Sequence, residues 1–567
     1  MKELEHYTLK EVLKESSDRY GNKVALGMVG GESVSYNKLA EQVKIISRVL
    51  KERGIQPGDK VAILSENKPN WGIAYFAITV MGSVAVPILP DFHPSEIHHI
   101  LRHSSAKAIF ISKDQYAKFE DAPLVLVETI FIIEDFSIVP PYKAKDKLRE
   151  ILLEGQREFI KLRDAAMKIT GLDKLEVKED DIASIIYTSG TTGHSKGVML
   201  THRNLIYDAC ATLEIQKVSY EDRLLSILPL SHAYEFTIGF LIPFIQGASI
   251  FYLDKPPVAR VLLPALQKVR PTMMLTVPLI IEKIYKTKIL HELHKNVIRR
   301  GLMKFPPTRK LLHKVAAKKI LATFGGKLRF FGIGGAALSP ETERFLRDGK
   351  FPYAIGYGMT EASPLISGSS VEKTRFRAAG FAIPEQEIRI KNPDKKTGEG
   401  EIIVRGDNVM KGYFRDPDQT KEVISKDGWL RTGDLGYIDK DGYLFIKGRL
   451  KNVILGPSGE NIYPEEIESK INRSDYVLES LVYKEDSKIV ARVYLNYEEL
   501  DVEFTQKKLT QTQITRRIQE LLEDLRKEVN ENLSSFSRIM RMIEQTEPFE
   551  KTPTKKIKRY LYISKAE

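Results

Sequence analysis

Cysteine is almost absent from this chain: Cys210 is the only one among 567 residues. A single thiol excludes an internal disulfide and any zinc or iron–sulfur site built from clustered cysteines. The first 22 residues carry charges throughout and have no apolar run of the kind found in secretory signals. We therefore expect a cytoplasmic protein.

Long uncharged stretches are also few. Residues 71–90 and 236–253 contain 20 and 18 uncharged residues, enough to be considered as membrane spans. Both contain Gly and Pro, however, with Gly82 and Pro87 in the first and Gly239, Pro243 and Gly247 in the second. We predict that each stretch is a buried helix followed by a glycine turn and a strand.

The hydrophobic pattern over the first 250 residues alternates between strand and helix. Strands are predicted at 60–64, 83–89 and 106–112, with helices at 71–80 and 94–104, which favours parallel α/β layers. After about residue 385, short alternating segments joined by turns indicate a small antiparallel, β-barrel-like region. A smaller α+β segment follows, with strands near 478–495 and a helix near 511–532. The predicted domains are 1–447 and 448–567.

Most of the net charge of +12 comes from one segment. Residues 283–319 hold nine Lys and three Arg but only one acid, Glu292, in a pattern typical of basic amphipathic helices interrupted at Pro306-Pro307. A solvated helical face explains this pattern, as does a surface for anionic lipid or for an acidic acyl carrier protein. Nucleic acid is a poorer explanation, because the chain has no nucleic-acid-binding motif.

The stretch from Ile186 to Val198 surrounds Lys196 with three glycines and five hydroxyl residues, directly after an apolar strand. Glycines allow backbone N–H groups to approach phosphate oxygens, and hydroxyls and Lys supply further donors. The Walker A pattern fails, because Lys196 is preceded by Ser195 and followed by Gly197. A P-loop NTPase is therefore disfavoured, and a flexible surface loop is the alternative.

The sequence YTSGTTGHSKGVMLTHRNL resembles the phosphate loop of the adenylate-forming (AMP-binding) superfamily, which includes acyl-CoA synthetases and luciferases. Five further segments resemble its motifs in order: 334–337 (GGAA), 357–361 (YGMTE), 429–434 (WLRTGD), 448–451 (GRLK) and 554–557 (TKKI). Six ordered matches over nearly the whole chain are specific, although each alone would be weak. Residues 228–235 and 459–468 are most similar to long-chain fatty acid–CoA ligases.

The resemblance implies activation of a carboxylic acid by ATP with Mg²⁺. The acid would attack the α-phosphorus to give acyl-AMP and pyrophosphate, and a thiol, normally that of coenzyme A, would then displace AMP. The resemblance also implies a mobile C-terminal domain that turns about a hinge at Lys451.

The resemblance assigns the nucleotide to a set of motif residues. It implies that the phosphates contact Thr188, Ser189, Gly190, Thr191, Thr192, Gly193 and Lys196, that the adenine lies near Gly335, Ala336, Tyr357 and Gly358, that the α-phosphate contacts Thr360, and that the ribose contacts Asp434 and Arg449. Thr191 and Glu361 would hold Mg²⁺. Without the motif, Tyr357 would more often be a core residue, and Asp434 could equally be a turn residue.

Two further assignments concern the reacting acid. Lys556 would approach the carboxylate and the α-phosphate, although five of the nine residues from Lys551 to Arg559 are basic and such a run is usually a solvated tail. His232 would lie near the carboxylate, with Tyr234 and Phe236 near an apolar acyl chain. Ordinary core packing explains the two aromatic residues about equally well.

The sequence therefore predicts a long-chain fatty acid–CoA ligase that uses fatty acid, ATP and CoA, with Mg²⁺ as cofactor. One alternative keeps the chemistry but uses acyl carrier protein as the acceptor. Another is a non-catalytic nucleotide- or lipid-binding protein with a relic site. We expect the protein to be cytoplasmic, and peripheral contact with the inner face of the membrane is compatible with that location.

Overall fold

The structure is a computed structural model. It describes residues 4–117, 127–140, 148–167, 175–189, 195–294, 297–456, 460–486, 488–506, 509–552 and 556–563. The chain divides into two compact units. The first comprises residues 1–388 and 404–430, and the second comprises residues 389–403 and 431–567. The hinge predicted at Lys451 concerns movement and remains a prediction.

The strands, in chain order, are β1 (Val24–Met28), β2 (Ser33–Ser35), β3 (Lys60–Leu64), β4 (Val84–Ile88), β5 (Ala108–Ile111), β6 (Thr129–Ile132), β7 (Ile138–Val139), β8 (Ile182–Ser189), β9 (Ser195–Thr201), β10 (Arg223–Ser226), β11 (Ser249–Tyr252), β12 (Met273–Thr276), β13 (Phe330–Ile333), β14 (Tyr353–Ile355), β15 (Tyr357–Gly358), β16 (Leu365–Gly368), β17 (Phe381–Ala382), β18 (Glu387–Lys391), β19 (Gly400–Arg405), β20 (Gly412–Tyr413), β21 (Leu430–Ile438), β22 (Leu444–Arg449), β23 (Ile454–Leu455), β24 (Asn461–Ile462), β25 (Val477–Glu485), β26 (Lys488–Leu495) and β27 (Arg541–Gln545).

The α-helices are α1 (Leu9–Tyr20), α2 (Tyr36–Glu52), α3 (Pro69–Thr79), α4 (Pro94–Ser104), α5 (Lys113–Ala117), α6 (Leu148–Ala166), α7 (His202–Ile215), α8 (Ile242–Ile245), α9 (Ala259–Val269), α10 (Pro278–Ile284), α11 (His291–His294), α12 (Val297–Met303), α13 (Pro306–Thr323), α14 (Pro340–Asp348), α15 (Pro417–Val423), α16 (Pro464–Ile471), α17 (Tyr497–Gln506) and α18 (Gln511–Glu531). Two π-helical segments span Glu235–Leu241 and Tyr285–Leu290.

Two large sheets form the first unit. One has eight strands in the order β20-β9-β8-β4-β3-β5-β6-β7, and the other has seven in the order β14-β13-β12-β10-β11-β1-β2. Neighbouring strands from β4 through β3 and β5 to β6 are parallel, as are those from β14 to β1. This confirms the predicted α/β class, and the strand at 60–64 and the helix at 94–104 have the predicted bounds.

Both uncharged stretches form a helix, a glycine turn and a strand, as predicted. The first consists of α3, a turn at Gly82 with φ +75°, and β4. The second consists of the π-helical segment from Glu235, α8, a turn at Gly247 with φ +76°, and β11. Their aromatic side chains pack together in the core of the first unit, where the ring of Phe240 contacts those of Phe76 and Phe244. No helix in the described part of the chain is both long and apolar enough to cross a membrane.

The second unit contains most of a four-stranded sheet, β18-β19-β21-β22, and a three-stranded sheet, β25-β26-β27. The antiparallel pair β21–β22 lies where the sequence predicts antiparallel strands. Strands β25 and β26 lie where the sequence predicts strands near 478–495, and they too are antiparallel. Helices α16, α17 and α18 contribute Ile467, Leu500 and Leu522 to a core shared with β25 and β26. The helix predicted near 511–532 is α18.

Candidate functional site

The predicted phosphate loop connects two strands of a hairpin in the first unit. Strands β8 and β9 are antiparallel, with Thr188 opposite Lys196 and Ser189 opposite Ser195. A side chain at Gly197 would place Cβ 2.9 Å from Ile185 Cγ2, so glycine allows the two strands to approach closely. Gly190, Thr191, Thr192 and Gly193 lie outside the described residues, and their assignments remain predictions.

Lys196 and Glu361 are connected through Tyr413. Strand β20 pairs with β9, which brings the Tyr413 ring within 5.6 Å of Lys196 Nζ, in cation–π range. The Tyr413 hydroxyl donates a 2.9 Å hydrogen bond to Glu361 Oε1. The buried Tyr413 therefore contacts both the ammonium group of Lys196, on the phosphate-loop hairpin, and the carboxylate of Glu361, from the 357–361 motif. Tyr413 carries no motif, so the sequence analysis missed it.

A tight turn carries Thr360 and Glu361. Its backbone is held by Asn408, which is fully buried and whose Nδ2 donates to the carbonyls of Ala362 at 3.0 Å and Leu365 at 2.9 Å. The glycine before this turn is required, because a Cβ at Gly358 would lie 1.9 Å from the carbonyl oxygen of Pro364. Asn408 is therefore a second residue that supports the site and that the sequence did not reveal.

The adenine-side motifs follow two neighbouring parallel strands at the same edge of the seven-stranded sheet. Gly335 and Ala336 follow β13, Tyr357 follows β14, and the N–H of Gly356 donates to the carbonyl of Ile333 at 3.0 Å. Gly335 has φ +86°, a conformation that favours glycine. Ligands bind outside the carboxyl ends of strands in open α/β sheets, and both motifs lie there.

The residues predicted near the acid come after β10, at this same edge. His232 is half-buried and directly precedes a helical run. The Tyr234 ring packs on the backbone after β13, where a Cβ at Gly334 would lie 3.1 Å from it. Phe236 is buried, with its ring centroid 4.3 Å from that of Tyr75. Contact of Tyr234 and Phe236 with an acyl chain remains a prediction.

A buried carboxyl group, which the sequence analysis did not select, anchors the segment that carries His232. Glu235 is 1% exposed and accepts a hydrogen bond from the Ser226 hydroxyl. That hydroxyl accepts a 3.0 Å hydrogen bond from Asn67 Nδ2, and Asn67 Oδ1 accepts one of 2.8 Å from the N–H of Leu230. Burial raises the pKa of Glu235 to about 8, so the group is mainly a neutral acid at pH 7.

Asp434 and Arg449 form an ion pair within the second unit. They are opposite each other on β21 and β22, and Arg449 Nε lies 2.8 Å from Asp434 Oδ1. Thr432 supports this position because its hydroxyl accepts a 3.1 Å hydrogen bond from the Asp434 N–H and donates one of 2.7 Å to the carbonyl of Ile402. Lys451 lies in the next turn and is exposed.

Lys556 is exposed on a hairpin-like segment of the second unit. The N–H of Thr552 donates to the carbonyl of Lys556 at 2.7 Å, and the N–H of Lys556 donates to the Thr552 hydroxyl at 3.2 Å. Thr554 and Lys555, which complete the predicted motif, lie outside the described residues. These two hydrogen bonds to Thr552 hold the backbone of Lys556, while the side chain of Lys556 is exposed.

Arg559 attaches this segment to the core of the second unit. Its Nη1 lies 2.8 Å from Glu468 Oε1, and its Nη2 donates a 2.6 Å hydrogen bond to the carbonyl of Val482. Glu468 also accepts a 2.7 Å hydrogen bond from the N–H of Val482. Burial raises the pKa of Glu468 to about 7, although Arg559 acts in the opposite direction.

The fold and these motif positions define a nucleotide-binding α/β protein. The chain belongs to the AMP-binding enzyme family, whose model matches residues 13–414. The resemblance inferred from the six motifs is thereby confirmed.

Relatives and solved structures extend the similarity beyond that region. The chain is 28% identical to long-chain-fatty-acid–CoA ligase 5 of Rattus norvegicus over 93% of this chain and 82% of the rat protein. It is also 28% identical to the putative acyl-CoA synthetase YngI of Bacillus subtilis, over 84% and 85% of the two chains.

Among solved structures, the anthranilate CoA ligase AuaEII with anthranoyl-AMP aligns with a TM-score of 0.74 at 19% identity, over 98% of this chain and 96% of that one. The O-succinylbenzoate coenzyme A synthetase MenE of Bacillus subtilis with AMP aligns with a TM-score of 0.71 at 22% identity, over 97% of each chain. These two structures share the fold of this chain.

Proposed function

We propose that this protein is an AMP-forming ligase that joins a long-chain fatty acid to coenzyme A. The observation that carries the proposal is the arrangement of Lys196, Tyr413 and Glu361. A lysine beside a phosphate-loop hairpin and a carboxylate held near it are the two charges that a metal-bound triphosphate requires. The names of the rat and Bacillus relatives support the same reaction class.

The proposed reaction has two steps. The fatty acid carboxylate attacks the α-phosphorus of ATP, pyrophosphate leaves, and acyl-AMP forms. The thiol of coenzyme A then attacks the acyl carbonyl, loses its proton, and releases AMP. The first step brings anions together, so Lys556 would stabilise the charge that develops between the carboxylate and the α-phosphate.

The remaining motif residues would bind and orient the nucleotide. The hairpin from Thr188 to Lys196 would bind the β- and γ-phosphates through backbone N–H groups and hydroxyls. Tyr357 would stack on the adenine, and Thr360 would contact the α-phosphate. Asp434, oriented by its ion pair with Arg449, would accept hydrogen bonds from the ribose hydroxyls.

The chemistry of the donor set fits Mg²⁺. This ion is usually bound by one or two carboxylates together with substrate phosphates and water. Glu361 offers a half-buried carboxylate whose orientation is fixed by the Tyr413 hydroxyl, and Thr191 would add a hydroxyl. Among the described residues, no group of three or more His, Cys, Asp and Glu side chains could hold a metal ion by itself. When bound, Mg²⁺ would neutralise phosphate charge.

A long apolar acid is the favoured substrate because of the residues around the segment that follows β10. Phe236 packs with Trp71 and Tyr75 in an aromatic cluster. The neighbouring carboxyl group of Glu235 is buried, and burial raises its pKa to about 8. Residues 228–236 contain no lysine or arginine that would indicate a pocket for a second negative charge. Acyl carrier protein as the acceptor and a relic site remain the alternatives. The cytoplasmic location remains a prediction.

The test is AMP release from Mg·ATP with saturated acids from butanoic to icosanoic, with either coenzyme A or acyl carrier protein as the acceptor and products identified by mass spectrometry. Acyl-CoA formed mainly from the longer acids would support the proposal. Preference for acyl carrier protein would favour the first alternative, and no acid-dependent AMP with any pair would refute both. Glu361→Gln should abolish AMP release, whereas the exposed control Glu221→Gln should leave it unchanged.

A further inference from the structure

Helices α12 and α13 expose large apolar side chains. Ile298, Phe305, Leu311 and Val315 are 75%, 64%, 63% and 53% exposed. Single exposed apolar residues are common in soluble proteins, whereas exposed apolar patches mark interaction surfaces. These four exposed side chains lie within 18 residues of sequence. We call residues 297–323 the α12–α13 surface.

The pattern on α13 separates a buried face from an exposed face of mixed character. His313, Ala317 and Ile320 are buried against the first unit. On the exposed side, Leu311 and Val315 are four residues apart, and Lys310, Lys314 and Lys318 form a second row at the same spacing. Side chains four residues apart lie on one face of a helix. An apolar row therefore runs beside a basic row on the solvent side.

Helix α12 also exposes both apolar and basic side chains. Ile298 and Leu302 are four residues apart and exposed, and Arg300 and Lys304 are exposed beside them. Phe305 directly precedes α13. Each of the two helices therefore exposes bulky apolar side chains and cations close together in sequence.

The charge of this surface is of one sign. Residues 297–323 hold eight Lys and Arg and no acid. Arg309 is paired with Asp348 at 3.0 Å. Within the part of the chain that the structure describes, none of the lysines at 304, 310, 314, 318 and 319 is in an ion pair with an acid. These lysines are therefore available to an external anion.

We propose that the α12–α13 surface docks on anionic phospholipid membranes, with its apolar side chains in the headgroup region and its lysines on lipid phosphates. Basic amphipathic helices that carry Phe or Leu bind such interfaces by combining apolar burial with electrostatic attraction. A nucleic acid would use the lysines but leave Ile298, Phe305 and Leu311 in water. An acidic protein would do the same unless it offered an apolar groove. The proposal does not depend on the proposed reaction.

The experiment is co-sedimentation of the full chain with phosphatidylcholine vesicles, with and without phosphatidylglycerol, at low and high salt. We expect binding only to the vesicles with phosphatidylglycerol, and weaker binding as salt screens the charges. The triple variant Lys310→Gln, Lys314→Gln, Lys318→Gln should bind roughly a hundredfold more weakly. A control with the same loss of charge at exposed lysines elsewhere, Lys395→Gln, Lys396→Gln, Lys440→Gln, should bind like the wild type.

A second variant tests the apolar part. The double variant Phe305→Ser, Leu311→Ser keeps every charge. Its affinity for the vesicles should fall at least about tenfold, because the wild-type side chains at these positions would move from water into the headgroup region on binding. Circular dichroism should show that all variants fold. The proposal is overturned if the wild type does not bind the anionic vesicles, if either α12–α13 variant binds like the wild type, or if only a nucleic acid or an acidic acyl carrier protein is bound. Vesicle binding requires no turnover, so failure of the proposed reaction would leave this test intact.

Discussion

Glu235 offers a direct test of the buried network under the His232 segment. Its carboxyl group is 1% exposed, and Oε1 accepts a hydrogen bond from the Ser226 hydroxyl. We consider the substitution Glu235→Gln. The glutamine side chain has nearly the same shape as that of glutamic acid, and it also places an acceptor oxygen toward Ser226. A buried neutral acid and a buried amide should be similarly tolerated, whereas a buried carboxylate should not be.

The magnitude follows from the pKa of Glu235. Burial raises it from 4.5 to about 8, and each pH unit between the unfolded and folded values changes the free energy of unfolding by about 1.4 kcal/mol. The folded protein holds this proton more tightly, so the stabilisation is complete below the unfolded pKa and is lost as the pH rises through the folded pKa. From about pH 5 to about pH 9, the wild type should lose about 4 kcal/mol that the Gln variant keeps.

The assay is urea unfolding followed by tryptophan fluorescence across this pH range. Both tryptophans, Trp71 and Trp429, are buried in the first unit, so the signal reports the unit that contains Glu235. Other titrating groups, including Glu468, are common to both proteins, so the difference between them isolates Glu235. The exposed control Glu221→Gln should follow the wild type. If the free energy of unfolding of the Glu235→Gln variant and of the wild type changed equally with pH, Glu235 would not be the group that titrates.

Three further substitutions test the site. Lys556→Ala should abolish acyl-AMP formation, measured as pyrophosphate release, yet largely spare thioester formation from supplied acyl-AMP, and equal loss of both would contradict the assignment. Gly358→Ala should weaken ATP binding in calorimetry and lower the melting temperature, because its Cβ would lie 1.9 Å from the Pro364 carbonyl oxygen, whereas a Cβ in Gly301→Ala meets nothing within 4 Å and should do neither. Asn408→Ala should reduce the free energy of unfolding by about 1 to 3 kcal/mol, since buried carbonyls lose their donor, and an unchanged urea midpoint would argue against this role.

Much of the fold could be predicted because its signals are local. The strand at 60–64 is a short apolar run after a turn, and the helix at 94–104 begins at a proline and has an apolar periodicity, so neighbouring residues determine both. The uncharged stretches were resolved in the same way, since Gly82 and Gly247 occupy turns with positive φ. The π-helical segment at 285–290 was not predicted, because the sequence shows helical periodicity there without revealing the hydrogen-bond pattern.

The supports of the candidate site could not be predicted, because they depend on contacts between residues that are distant in sequence. Tyr413 is 52 residues from Glu361, and Asn408 is 46 residues from Ala362. Asn67 reaches Ser226 across 159 residues. Tyr, Asn and Ser in these positions have no spacing that distinguishes them from ordinary surface residues. Motifs identify residues proposed to touch the nucleotide, whereas the side chains that hold those motifs are found only when the chain is folded.

The basic run from Lys551 to Arg559 shows how contacts in the folded chain correct an interpretation that rests on charge alone. In isolation, five basic residues in nine favour a solvated tail. Three of them instead have acidic partners within the second unit: Lys551 with Glu479, Lys558 with Glu550 and Arg559 with Glu468. Ile557, Tyr562 and Ile563 also pack on the core around Tyr483. The segment is therefore anchored on both sides of Lys556, and this anchoring supports the role that we propose for that lysine.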